Sequence, residues 1–98
     1  MPMNIFDISA TLVAMNNLRN DDILIEFGNK LKELRNQKGF SIQQLAFEAD
    51  IETSQVHRVE KGKINPTLTT LVALAKGLGI TLAELVGDSL EVNRDSKI

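Results

Sequence analysis

Between Gly39 and Thr81 the chain repeatedly places a helix-stopping residue just ahead of a helix-starting one. Gly39 precedes Ser41, Asp50 precedes Glu52 and Thr53, Gly62 precedes Thr67, and Gly79 precedes Thr81. Glycine supplies the left-handed conformation in which helices commonly end, and Asp tolerates it better than most residues. Ser and Thr hydroxyls accept from the free N–H groups of the turn that follows. Only short helices fit between such signals, and the apolar residues recur at helical rather than alternating spacing. Five helices are predicted. The first runs from about Ile23 to Lys38, with Asp21 or Asp22 as N-cap, Leu24, Phe27, Leu31 and Leu34 on one face, and Phe40 just past its end. The second is about Ile42–Ala49, with Ile42, Leu45, Ala46 and Ala49 inward. The third is about Thr53–Lys61, capped by Glu52 or Thr53, with Val56 and Val59 as a narrow buried stripe and Ile51 spaced to staple onto Val56. The fourth is about Leu68–Leu78, carrying Leu68, Leu71, Val72, Leu74, Ala75 and Leu78. A last short helix runs through Val86 to Gly87. Ser41–Gln44 and Thr81–Glu84 both have the form of capping boxes, and Pro66 keeps the stretch after Gly62 a loop. No strand pattern of any length interrupts this core, so the expected class is all-α.

Composition narrows the function. The 98 residues are 43% apolar, enough for one globular domain. With no Cys and a single His, His57, neither a thiolate or His-rich metal site nor a Cys nucleophile is available. There is no glycine-rich phosphate loop and no convincing carboxylate pair, so the chain is read as a non-enzyme without cofactor or metal. No uncharged apolar run approaches the ~18 residues of a membrane span. The start, MPMNIFDISATLVAM, carries Asp7 and no early Lys or Arg, unlike a secretory signal, so a cytoplasmic location is expected. Composition shifts at Asn20-Asp21-Asp22 and after Gly87 divide the chain into residues 1–22, 23–87 and 88–98. The net charge is −2, but the middle part alone is +1, with eight basic and seven acidic residues.

Helices two and three carry the functional signal. Two short helices joined by a tight turn, the second polar outside its valine stripe, form a helix-turn-helix unit. A helix about ten Å wide fits the DNA major groove, where outward side chains meet base edges. The N-terminus of the first helix can then lie on a phosphate. On this pattern alone an ordinary helical corner is the commoner reading. The stretch Ser41-IQQLAFEADIETSQVHRVEKGKINPTLTTLVALAKGLGITLAEL goes further. Leu45-Ala46, Val56 and Val59, Glu60-Lys61-Gly62-Lys63, Pro66, Gly79-Ile80 and Thr81–Leu85 together resemble the phage-repressor and Cro-like (XRE) helix-turn-helix family, over about Phe27–Val86. The resemblance implies a five-helix, lambda-repressor-like DNA-binding domain that regulates transcription, often as a repressor and as a homodimer on double-stranded DNA.

It also implies roles. Thr53, Ser54 and Arg58 occupy the places from which family members read bases, and their spacing turns them away from Val56 and Val59. Arg58 is the strongest candidate, since a guanidinium can meet O6 and N7 of guanine with two bonds. Gln55 and His57 are weaker base-reading candidates, with backbone contact or plain solvation as the alternative. Lys61, Lys63, Asn65 and Thr67 match a loop that lies along a phosphate strand. Ser41, the backbone amide of Ile42, and Gln43 are the phosphate candidates at the start of the second helix. Arg35 and Glu60 match a structural pair that bridges the first helix to the end of the third. Three positions depart from the family. Ile42 stands where a polar side chain is usual, which removes that contact unless Gln43 or Gln44 supplies it. Asp50 replaces a usual Gly, and Glu52 caps the third helix but would repel phosphate.

In the N-terminal extension Ile5, Ile8, Leu12, Met15 and Leu18 or Arg19 follow helical spacing, giving an amphipathic segment of about Ile5–Leu18 that should pack either on its own domain or on a sister subunit. A strand through Ala10–Met15 is a third option. The tail 88–98 is mostly polar and expected to fray. Two other functions use the same core: an antitoxin that also binds a partner toxin, and a protein-interaction module that has lost DNA binding.

Overall fold

The computed structural model describes residues 21–87, and these form five α-helices without a strand. They are α1 (Asp21–Lys38), α2 (Ile42–Ala49), α3 (Thr53–Glu60), α4 (Leu68–Leu78) and α5 (Leu82–Val86). The expected packing of residues 1–20 and fraying of 88–98 lie outside the described residues. The core forms where α2 lies against α4 and α3, α1 crosses α3, and α5 closes the far side against α4 and α1. At its centre Leu31, Leu45, Val56, Val59, Leu74, Leu78 and Leu85 are fully buried, each from the apolar stripe of its helix. Phe27, Ala46, Ala49 and Ala75 fill the spaces between them.

The helix ends follow the predicted stops. Phe40 N–H donates to Arg35 O at 3.0 Å and Gly39 N–H to Asn36 O at 2.9 Å, with Gly39 at φ 78°. These two bonds close the last turn of α1 and reverse the chain. Asp50, at φ 57°, does the same for α2 in spite of its side chain. The starts are less uniform. Thr67 caps α4, and Thr81 with Glu84 makes a complete reciprocal box at α5. At α2 only half the expected box forms: Ser41 Oγ accepts from Gln44 N–H at 3.0 Å, but the Gln44 side chain turns along the helix and donates to Glu48 at 2.8 Å. Glu52 occupies the cap position of α3 with no side-chain bond to the helix. Asp21 and Asp22 are not caps either; both lie inside the first turn of α1, where their charge still suits the positive helix end. Lys61 falls one residue past α3 as its C-cap, and Leu68, though apolar, is 66% exposed at the start of α4.

Two glycines inside helices set how closely the layers approach. A Cβ at Gly28 would sit 2.6 Å from the carbonyl oxygen of Val59 and still nearer that of Glu60, so α1 crosses the end of α3 with backbone against backbone. A Cβ at Gly77 would meet Ala49 at 2.9–3.1 Å, where α4 presses on α2. Glycine mid-helix is otherwise unfavourable by about 1 kcal/mol relative to Ala, so these two positions trade helix propensity for close packing.

Gly28→Ala should therefore lower the unfolding free energy by about 3 kcal/mol, because backbone atoms cannot yield. Gly39→Ala, which meets nothing within 4 Å, should cost only the left-handed strain of about 1 kcal/mol. Urea midpoints that rank them the other way would refute this reading of the α1–α3 crossing. At α5, the backbone N–H of Thr81 and then its hydroxyl donate to Glu84 and hold that carboxyl below its ordinary range. A folded value below the unfolded one means a contribution present above the ordinary carboxylate range and lost as pH falls through the folded value. Glu84→Gln should lower stability at neutral pH and flatten the acid limb of a stability–pH curve, the two proteins converging at low pH where the carboxyl is protonated.

Candidate nucleic-acid interface

The side chains of α3 divide cleanly. Val56 and Val59 are buried, while Thr53, Ser54, His57 and Arg58 are exposed on the opposite half. The first turn of α2 comes up beside them. Ser41, Ile42, Gln43, Thr53, Ser54, His57 and Arg58, with Arg35 behind, line one open concavity. The structure thus brings together, from two helices far apart in apolar role, four of the five predicted base-reading residues and three of the predicted phosphate residues. The first-turn N–H groups of α2 have no intrahelical acceptor, and Ser41 Oγ takes only that of Gln44. The N–H groups of Ile42 and Gln43 therefore belong to a helix end with partial positive charge at the rim of the concavity.

Gln55 is separated from this group. It is half-buried, and its side-chain amide donates to Thr70 Oγ1 at 3.2 Å, tying α3 to the first turn of α4. Thr70 Oγ1 lies 3.0 Å from Thr67 Oγ1, which also accepts from Thr70 N–H. The Thr67 hydroxyl is thus engaged in capping α4. Lys61, Lys63 and Asn65 are exposed on the segment between α3 and α4 and do not line the concavity. Lys61 instead joins Ile25, Asn29, Lys32 and Glu60 around a second, smaller hollow on the α1 side, which Ile42, His57 and Arg35 share.

Arg35 and Glu60 fix the angle of the whole unit. Arg35 Nε donates to Glu60 Oε2 at 2.6 Å and Nη2 to Oε1 at 3.0 Å, a two-bond fork between α1 and the last residue of α3. The remaining arm, Nη1, donates to Phe40 O at 2.8 Å, at the turn into α2. Both residues are 8% exposed, and the hydrogen bonds that Arg35 donates to Glu60 raise the guanidinium pKa against the opposing effect of burial. The sequence reading missed Gln55 as a brace and Gly28 as the close crossing. Only Gly28 left a signal, a glycine retained within an otherwise regular helical stripe.

Among the described residues no helix is long and apolar enough to cross a membrane, and no group of His, Cys, Asp and Glu is placed to hold a metal ion.

Comparison with known proteins agrees with this geometry. The helix-turn-helix family model matches residues 31–85. The chain is 44% identical over 69 residues to "Control protein C.MunI" of Mycoplasma sp, spanning 69% of this chain and 93% of that protein. It is 31% identical over 68 residues to the immunity repressor protein of Bacillus phage phi105, of which it spans 47%. Among solved structures, the restriction-modification controller protein C.AhdI from Aeromonas hydrophila superposes with a TM-score of 0.62 at 42% identity, covering 63% of this chain and 94% of that one.

Removing one partner of a buried ion pair strands the other charge. Glu60→Ala should cost about 3–5 kcal/mol, and Gln55→Ala, which loses one half-buried hydrogen bond, about 1 kcal/mol. Thermal unfolding of the two variants checks the order. Equal losses would mean that the Arg35 fork is not what holds α3.

Proposed function

Since the chain belongs to the XRE-type helix-turn-helix family of DNA-binding transcriptional regulators, we propose that it binds a specific operator as a homodimer, with α3 in the major groove. The observation that carries this reading is the shared concavity, where an unpacked half of α3 and the amide end of α2 meet on one face. In this reading Thr53, Ser54, His57 and Arg58 face base edges. The amides of Ile42 and Gln43, with Ser41, take a phosphate on one side, and Lys61, Lys63 and Asn65 take the other strand. Thr67 and Gln55 act behind them as a cap and a brace.

Pairing follows from size. An eight-residue α3 presents few side chains, and proteins of this architecture gain specificity by placing two such helices on half-sites about one DNA turn apart. Residues 23–87, together with Asp21 and Asp22, constitute the DNA-binding domain in this proposal, flanked by the N-terminal extension and the tail. The likeness to two control proteins over nearly their whole length supports a small DNA-binding regulator.

Titration of the full chain against the DNA upstream of its gene, at two salt concentrations and with random competitor, tests the proposal. Competitor-resistant binding with a two-fold footprint is expected. Binding no tighter than to random DNA would overturn it and direct attention to a partner protein, as in the antitoxin and interaction-module readings. Within a specific complex, Arg58→Ala should cost roughly 1–3 kcal/mol and relax preference at one base position. Lys63→Ala should weaken all sequences alike and reduce the salt slope by about one unit. Identical behaviour of the two on cognate and random DNA would show that reading and positioning are misassigned.

A further inference from the structure

Among the eight residues lining the concavity, Ile42 is the one apolar side chain. It is half-buried: it packs against the core cluster on one side and lines both the main concavity and the smaller hollow beside it. Ile42 is therefore a ridge of hydrocarbon within a face that is otherwise hydroxyl, amide, imidazole and guanidinium. Thr53, which lines the same concavity, also carries a γ-methyl.

We propose that Ile42, with the Thr53 methyl, takes the 5-methyl group of a pyrimidine in the major groove. This rests on the reading of the concavity as the DNA-facing surface, and adds a specificity element to it. The argument is one of complementarity. When the face closes on DNA, the outer carbons of Ile42 lose water and must meet something. The amino, carbonyl and ring-nitrogen edges of the major groove would be dehydrated by an aliphatic side chain without gaining a partner, which is unfavourable. The methyl group at C5 is the apolar feature that the major groove offers, carried by thymine or by 5-methylcytosine. Covering it removes apolar surface from water on both sides. A methyl group is worth a factor of about four in affinity, from ~0.8 kcal/mol per buried carbon.

The test begins with a duplex selected by the full chain from a random pool. Each thymine is replaced in turn by uracil, which deletes only the methyl group, and binding is measured for the native chain, Ile42→Val and Ile42→Ala. In the native chain, uracil at one position per half-site should weaken binding about fourfold. Ile42→Val should retain most of this, and Ile42→Ala should lose it, binding the thymine and uracil duplexes equally. Each ratio compares two DNAs on one protein, so a fold partly destabilised by truncating Ile42 cancels out. Cytosine and 5-methylcytosine at the same position identify the source. A gain from methylating cytosine equal to that of thymine over uracil assigns the contact to the methyl group of either base, and no gain assigns it to thymine. Two results overturn the inference: tolerance of uracil at every position, or equal losses in the native chain and Ile42→Ala. The former is also what would be seen if Ile42 rested on deoxyribose carbons. Failure to select any sequence over random DNA would instead overturn the operator-binding proposal itself, before any base is altered.

Discussion

The Arg35 guanidinium is the junction on which the geometry of the DNA-facing unit depends. Its three hydrogen bonds reach Glu60 at the end of α3 and Phe40 at the entrance to α2, while its own backbone belongs to α1. One side chain thus triangulates three helices. Taking the two charges out of water is costly, and an apolar pair of similar volume could equal it in stability. What an apolar pair would lack is direction. The planar fork accepts a carboxylate in one orientation, so it defines the rotation of α3 about its own axis as well as its distance from α1. A rotation of one residue, about 100° for an α-helix, would carry Arg58 off the face that Thr53 and Ser54 share.

The α1–α3 contact is close because Gly28 presents no side chain to the carbonyls of Val59 and Glu60. The Arg35 arm can therefore reach without stretching. At the other end of α3, Gln55 performs the complementary task through Thr70. Held at both termini and stapled by two valines in the middle, an eight-residue helix that would be unstable alone needs none of its outward residues for packing. That freedom is what makes Thr53, Ser54, His57 and Arg58 available. The loop that follows is similarly divided: Thr67 caps α4, leaving Lys61, Lys63 and Asn65 exposed.

Much of this was legible in the residues. The bounds of α2 and α4 follow from Ser41, Asp50, Thr67 and Gly79, because each signal acts through its own backbone and needs no partner beyond a few residues. The opposed faces of α3 follow from the spacing of Val56 and Val59. The two departures at helix starts share a cause. Gln44 and Glu52 are of types that cap helices, but Gln44 found Glu48 a turn away and Glu52 made no bond at all. Both are exposed, where local alternatives and water compete on equal terms. A helical pattern places Gln55 with the outward residues because it records the angle around the axis, not which neighbour approaches from another helix.

Among the described residues, the sequence by itself determined the class, the five helices with the limits of α2 and α4, and which half of each is apolar, since these depend on backbone conformation and spacing over a few residues. The resemblance carried by its motifs supplied the pairing of Arg35 with Glu60. Tertiary structure alone decided that Ile42 stands within the polar concavity, that Gln55 turns away from it, and that Gly28 and Gly77 are points of backbone contact. Those facts rest on the crossing of helices distant in sequence, and a one-dimensional pattern holds no term for the distance between two axes.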